Sequence, residues 1–555
     1  MTARKLTLCI LGAMLLLGLL FTGAASQDAA TASTPAALVE EILGTPNEMP
    51  IEQKEACSAL AVGKYATVNG GTLNCYTSDG RCDFRLYVMP AEKHAAGEMY
   101  QINYTGIEGG FVHDAVGEIP QVAETYQWFK AEVPFANEHQ VFISENTCGS
   151  WPDLATMEYE EALIDWHTLA ALALQRAKTA SEAVNIMGEL VETYGLRGDA
   201  ESYMISDPNE VWMIEIVGNS DIWVAQRIPS NAVAFHANRL RIQEVDLNDS
   251  SNFRGSDKLI SWAIEKGRYN PETDGAFSFE KAYSTGRESI GSARREWRAW
   301  SLLCPSVEWD PAAVTYPVYV IPEEKVSAQW VMDVLWRDVM EGTEYSLTEG
   351  IAAGPFGSPL RQGISGVGTE RAISTHTNTY TTVCEARGWL PDALGGLIWY
   401  SNDTPRSSCF VPLYVGIKDV PESWHSGSYL EYSEDSAWWA FQILDTLSAL
   451  RYRDMNADVR AVFDVIEAEQ LAFQKDFEDV ALYIYRSQGE AAMIQYLDNY
   501  SNQQCRYAEE TARELFDFLL GKYVDGRPNA TVDEEWQALL NQDNPSTYTT
   551  FSDPY

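Results

Sequence analysis

The alternation of apolar and polar positions changes period several times along the chain, and each change predicts an element. Residues 57–63 form an unbroken run of small and apolar side chains around Ser58, which predicts a buried strand. Asn69-Gly70-Gly71 is a turn signal, and residues 72–77 predict the returning strand. Pairing of these two strands brings Asp79 back toward Cys57. Further on, Leu163, Trp166, Leu169, Ala170 and Ala173 recur at helical spacing and predict a helix over 163–176. Thr179-Ala-Ser-Glu182 is a capping box opening a second helix, which Gly195 closes. Residues 202–206 and 211–217 then flank Asp207-Pro208-Asn209-Glu210, a hairpin signal, and 221–228 and 232–236 continue in strand style. Strands, two helices and strands again predict layered α and β structure. Residues 354–368 are glycine-rich and predict a loop. From 436 to 523 the pattern is almost wholly helical, with helices expected over 437–451, 459–485 and 504–520. Residues 526–555 are polar and acidic and are expected to form a flexible tail. No internal repeat is visible.

The first 26 residues read as a signal peptide. Arg4 and Lys5 form a basic start, 6–21 is an apolar run, and Ala24-Ala25-Ser26 suits cleavage. No second apolar stretch of about 18 residues follows, so no membrane span is expected. Residues 27–56, rich in Ala, Thr, Pro and Glu, read as a pro-segment or linker. The expected organisation is therefore a signal at 1–26, a pro-segment at 27–56, a main domain over 57–430, a helical region over 431–525 and the tail. Such a chain is expected to be a secreted or extracytoplasmic zymogen.

Composition narrows the classes. Hydrophobic residues make up 46% and charged residues 21%, which excludes a disordered chain, a collagen and a coiled-coil rod. Thirty-nine basic against 80 acidic residues give a net charge of −41, which repels phosphate backbones and excludes a nucleic-acid partner. The oligomeric state stays open. Of nine cysteines, Cys9 leaves with the signal. The other eight are too sparse for a disulfide scaffold, and no Cys-x-x-Cys pair occurs. Cys75 and Cys82 are candidates for a bridge by proximity. Five Asn-x-Ser/Thr sequons, at Asn103, Asn248, Asn402, Asn499 and Asn529, suit an exported chain.

The chain has no Gly-x-Ser-x-Gly, His-Glu-x-x-His or Walker loop. None of its seven histidines shares a helical face with another at i, i+4, so no metal site is expected. Cys57 stands out, because it follows a flexible acidic segment and opens the first strand. A cut before it would free an α-amino group with a pKa near roughly 8, able to take the thiol proton directly or through one water. Two other readings stand beside this: a Cys57 dyad with His139 or His236, and a buried cysteine that only packs.

Residues 57–72, Cys-Ser-Ala-Leu-Ala-Val-Gly-Lys-Tyr-Ala-Thr-Val-Asn-Gly-Gly-Thr, resemble the opening of the dipeptidase A and secernin family of cysteine peptidases, which are N-terminal nucleophile hydrolases. Blocks at Gly117–Val122, Asn137–Val141, Gln175–Ala180, Asp207–Trp212, His236–Arg239, Trp389–Gly396 and Val411–Tyr414 follow in the family's order. The resemblance covers roughly residues 57–525. It implies a four-layer αββα sandwich of the α+β class with a helical C-terminal region, no cofactor and a small peptide substrate. It also implies site roles. Cys57 is the nucleophile, Asp79 contacts its amino group, and Asn137 and Asn238 donate to an oxyanion. The block 292–298 supplies an arginine, taken here as Arg294, for the thiolate or a substrate carboxylate. The chain carries Tyr76-Thr77-Ser78-Asp79 where many members have Arg-Asn-Glu-Asp and some a Tyr-x-x-Asp form, which leaves only the arginine's role open, and it departs in the 56 residues ahead of the cysteine. The expected activity is a cysteine dipeptidase. The alternatives are an amidase of the same class and a non-catalytic, secernin-like interaction protein.

Overall fold

A computed structural model describes residues 57–80, 82–103, 115–360 and 370–543. The signal peptide, the pro-segment, His113 and most of the glycine-rich stretch lie outside them. All described residues fall within one unit, Glu52–Tyr555.

The chain opens with the expected pair of strands, β1 (Ser58–Val62) and β2 (Thr72–Asp79), antiparallel with Ser58 opposite Thr77 and Val62 opposite Leu73. The turn between them is made by its own residues. The Asn69 side chain accepts from Gly71 N–H at 3.0 Å, and Gly70 has φ +85°, which favours glycine. Because β1 pairs on its other side with Val233–His236, it is an interior strand. The full order of this seven-stranded sheet is 319–320, 233–236, β1, β2, 378–386, 396–402, 411–414.

A second sheet of eight strands runs 253–255, 223–228, 211–216, 200–206, 142–148, 134–137, 128–130, 87–89. The predicted hairpin is present, with Asp207 accepting from the backbone of Asn209 and Glu210. The two sheets pack face to face through Ala61, Ala234, Met204 and Met213. Asn74 stitches them, donating to the carbonyls of Phe142 and Met204.

Helices close both outer faces. Trp166–Arg176 and Ala180–Tyr194 cover the eight-stranded sheet with Leu169, Leu172, Val184 and Met187. The capping box is as expected, with Thr179 accepting from Glu182 N–H. The first helix starts three residues later than its periodicity predicts, because Asp165 caps it and Ile164 bridges to Leu196 instead. Helices Ile290–Leu303, Ala437–Ala449, Tyr452–Gln488 and Glu490–Lys522 lie on the side of the seven-stranded sheet. Their Trp300, Phe441, Phe463 and Leu497 share one core with Leu60, Val383 and Trp399. The four layers are thus helix, sheet, sheet, helix. The C-terminal helices are the outer layer of the main core rather than a body of their own. The expected tail contains a further helix, Glu534–Asp543, preceded by an Asp533–Arg453 ion pair at 3.0 Å. No helix among the described residues is long and apolar enough to cross a membrane.

All eight described cysteines are free and buried. The candidate Cys75–Cys82 bridge is absent for a geometric reason. Cys75 lies on the face of β2 opposite Tyr76 and Ser78, whereas the Cys82 sulfur sits 3.4 Å from Ser78 Oγ. The sequon residue Asn402 is a buried strand position at 1% exposure, out of reach of modification.

Candidate active site

Cys57 begins the interior strand and is 5% exposed. Its side chain faces the second sheet, as Ala61 does on the same face. Two groups of β2 turn toward the sulfur. The Tyr76 hydroxyl lies 2.9 Å from Sγ, and the backbone N–H of Asp79 also points to it. Burial pushes the thiol well above its ordinary pKa, the charges of Glu145 and Asp79 push it further, and the Tyr76 hydroxyl and Asp79 N–H pull back. A thiol held this way needs a base close by to become a thiolate.

Asp79 is placed as expected, at the end of β2 beside Cys57. Its carboxylate is held by Arg371 and Asn378. Burial nevertheless raises it to about 6, against the lowering effect of Arg371 and Arg295. Asn238 also reaches the site. The pairing of Ala59 with His236 carries Asn238 to the level of Cys57 two residues later. There it adopts φ +54°, a left-handed conformation that asparagine tolerates. Its Nδ2 donates to Thr147 O at 3.1 Å, and its Oδ1 accepts from Arg295 at 2.9 Å. With Oδ1 fixed, the second Nδ2 hydrogen has a set direction and no partner among the described residues.

Two expected residues are not brought there. Asn137 is fully buried, and both amide hydrogens are spent on Leu174 O and Ala177 O at the end of helix Trp166–Arg176. Its Oδ1 accepts from His139 and Val141 N–H. It ties a helix end to a strand and has no hydrogen left for an oxyanion. Arg294 pairs with Glu370 at 2.9 Å, donates to Pro311 O and lies over the Tyr345 ring. The arginine at the site is its neighbour. Arg295 donates to the Cys57 carbonyl at 2.5 Å and to Ser58 Oγ at 3.1 Å. One residue turns a helix by about 100°, enough to send adjacent side chains to different neighbours.

Neither histidine reading fits well. His139 lies 3.6 Å from Asp392 and stacks edge-on to Tyr126. His236 is fully buried, both ring nitrogens have no hydrogen-bond partner among the described residues, and burial with Arg241 and Arg295 nearby pushes it down to about 3. Tyr76, Glu145 and Arg295 were not singled out by the sequence. The Tyr-x-x-Asp form was a signal for Tyr76 and the arginine block 292–298 for Arg295, whereas Glu145 had none.

The profile of peptidase family C69 matches residues 56–464. A probable dipeptidase of Latilactobacillus sakei is 27% identical over 421 residues, covering 72% of this chain and 82% of the relative. A probable dipeptidase B of Lactococcus lactis is 24% identical over 432 residues, with 74% and 85% covered. Dipeptidase A of Lactobacillus helveticus is 22% identical over 417 residues, with 72% and 82% covered. With the match running from the residue before Cys57 through both sheets and into the C-terminal helices, the chain belongs to peptidase family C69 and is a cysteine-type peptidase with an N-terminal nucleophile fold.

Proposed function

We propose that this peptidase is an exported cysteine dipeptidase working from Cys57 as the first residue of its mature chain. The observation that carries the reading is the position of Cys57. It opens an interior strand, with donors on one side of its sulfur and the half-buried Asn238 amide at the same level. The dipeptidase names of the relatives supply the substrate class.

In this mechanism the free α-amino group takes the thiol proton. The thiolate attacks the scissile carbonyl, and the new oxyanion takes the open Nδ2 hydrogen of Asn238. Arg295 holds the Cys57 carbonyl and Asn238 Oδ1 in one grip, which fixes nucleophile and donor relative to each other. The ammonium then protonates the leaving amine, and water hydrolyses the thioester. Cys57→Ala is the test. Loss of dipeptide hydrolysis with an unchanged melting temperature is expected, and turnover by the folded variant overturns the reading.

A further inference from the structure

The Tyr76 hydroxyl has one hydrogen and two acceptors. Its oxygen lies 2.9 Å from Cys57 Sγ and 3.4 Å from Glu145 Oε2. Tyr76 is 1% exposed and Glu145 3%, so bulk water has little access to either. Fold explains the meeting. The strand Phe142–Cys148 pairs along its whole length with Ala200–Ser206, but with Pro134–Asn137 only at Phe142. Beyond Phe142 no strand among the described residues pairs with that side, and there the Glu145 carboxylate reaches Tyr76.

We propose that Tyr76 is a catalytic residue whose hydroxyl donates to the Cys57 thiolate, and that Glu145 is a positioning residue that draws the same hydrogen away while the sulfur is protonated. The proposal rests on Cys57 as the nucleophile. In the resting site the thiol donates to Tyr76 Oη, and Tyr76 donates to Glu145. When the α-amine removes the thiol proton, the Tyr76 hydrogen rotates about the Cζ–Oη bond toward the sulfur. No covalent bond of Tyr76 breaks. Glu145 keeps the Thr147 hydroxyl on its other oxygen, at 3.2 Å. Formation of the S–C bond consumes the thiolate, and the hydrogen returns to Glu145. Thioester hydrolysis regenerates the thiolate, and the hydrogen swings back to the leaving sulfur.

The charged and titratable surroundings fit this exchange. Cys57 faces Tyr76 and Asp79 from β2, Glu145 from the other sheet and Arg295 from helix Ile290–Leu303. Tyr76 also faces Tyr380 and Glu132, and Glu145 also faces Tyr203 and Cys148. Burial, then the charges of Cys57 and Glu145, hold the Tyr76 hydroxyl well above its usual range, so it keeps its hydrogen at neutral pH. While the sulfur is a neutral thiol the Glu145 carboxylate is the stronger acceptor; once both acceptors are charged, the nearer one takes the hydrogen, and that is the sulfur, at 2.9 Å against 3.4 Å.

The test is the pH dependence of iodoacetamide alkylation at Cys57, read by peptide mass mapping in the purified active protein. Tyr76→Phe should move the midpoint to higher pH and slow alkylation at neutral pH by about 10–100-fold. Glu145→Gln should move it to lower pH, and by less when Tyr76 is already Phe. An unmoved midpoint in Tyr76→Phe overturns the proposal. So does a Glu145→Gln shift of equal size in both backgrounds, since that is charge alone. If Tyr76→Phe does not fold, 3,5-difluorotyrosine at position 76 keeps the shape and strengthens the donor, and must then lower the midpoint. Whether alkylation of Cys57 abolishes dipeptide hydrolysis is read separately and tests the nucleophile itself.

Discussion

Arg295 and Asn238 meet at 2.9 Å, guanidinium to side-chain carbonyl, and this contact holds the Oδ1 end of the Asn238 amide. The Nδ2 hydrogen bond to Thr147 O at 3.1 Å holds the other end, so the two together set which way the amide points. Asn238→Ala is therefore expected to lower kcat by roughly 10²–10³-fold while KM changes much less, because the charge it meets exists near the transition state. Steady-state kinetics on a dipeptide check this, and a near-normal kcat removes Asn238 from the mechanism.

Asn137 should behave differently. Asn137→Ala leaves the carbonyls of Leu174 and Ala177 and two backbone N–H groups without their partner. Buried polar groups left unmade cost about 1–3 kcal/mol each, so a fall in melting temperature is expected, with kcat per folded molecule little changed. A kcat loss without a stability loss would contradict its placement.

The two neighbouring arginines should separate as well. Arg295→Ala removes the grip on both Cys57 O and Asn238, and misplacement of this kind costs roughly 10² in turnover. Arg294→Ala breaks an ion pair with Glu370 and a ring contact, and turnover should change little. Equal losses in the two variants refute the assignment.

The active protein is expected to begin at Cys57. While Ala56 remains attached, the Cys57 nitrogen is an amide and cannot serve as a base. N-terminal sequencing of active protein decides the matter, and full activity in a chain still starting at Gln27 rules out the free amine.

His236 predicts an acid limit to stability. Burial, with Arg241 and Arg295 nearby, holds it down at about 3 in the folded chain, well below the ordinary 6.5 of a histidine. Between these values the unfolded chain binds a proton that the folded chain refuses, so stability falls as pH drops through that window and is fully present above it. One such group contributes a slope of about 1.4 kcal/mol per pH unit. His236→Leu should flatten the acid side of a stability–pH curve, and an unchanged slope locates the acid sensitivity elsewhere.

The β1–turn–β2 unit was legible because its signals are local. Asn69 and the glycines satisfy their own turn, and the run from Ser58 to Val62 matches a strand buried on both faces. Helix Ala180–Tyr194 was equally legible from its caps. The site was less so. Arg295 reaches Cys57 across 238 positions, and nothing nearby distinguishes it from Arg294. Asn137 looked like a donor because a buried amide that ties a helix end has the same side chain as one that meets an oxyanion. Glu145 was invisible because its meaning comes from Tyr76, 69 residues earlier and in the other sheet.

The eight buried thiols make folding a race against oxidation. In the native chain each is unpaired and sheltered. In the unfolded chain all are exposed at once, and eight thiols can pair completely in roughly a hundred ways, none of them native. Refolding from denaturant should therefore give active enzyme with a reductant present and trapped, scrambled chains without one. On the proposed export route, rapid burial of Cys57 and Cys75, which lie at adjacent strands in the interior of the sheet, shortens the time in which such pairs can form.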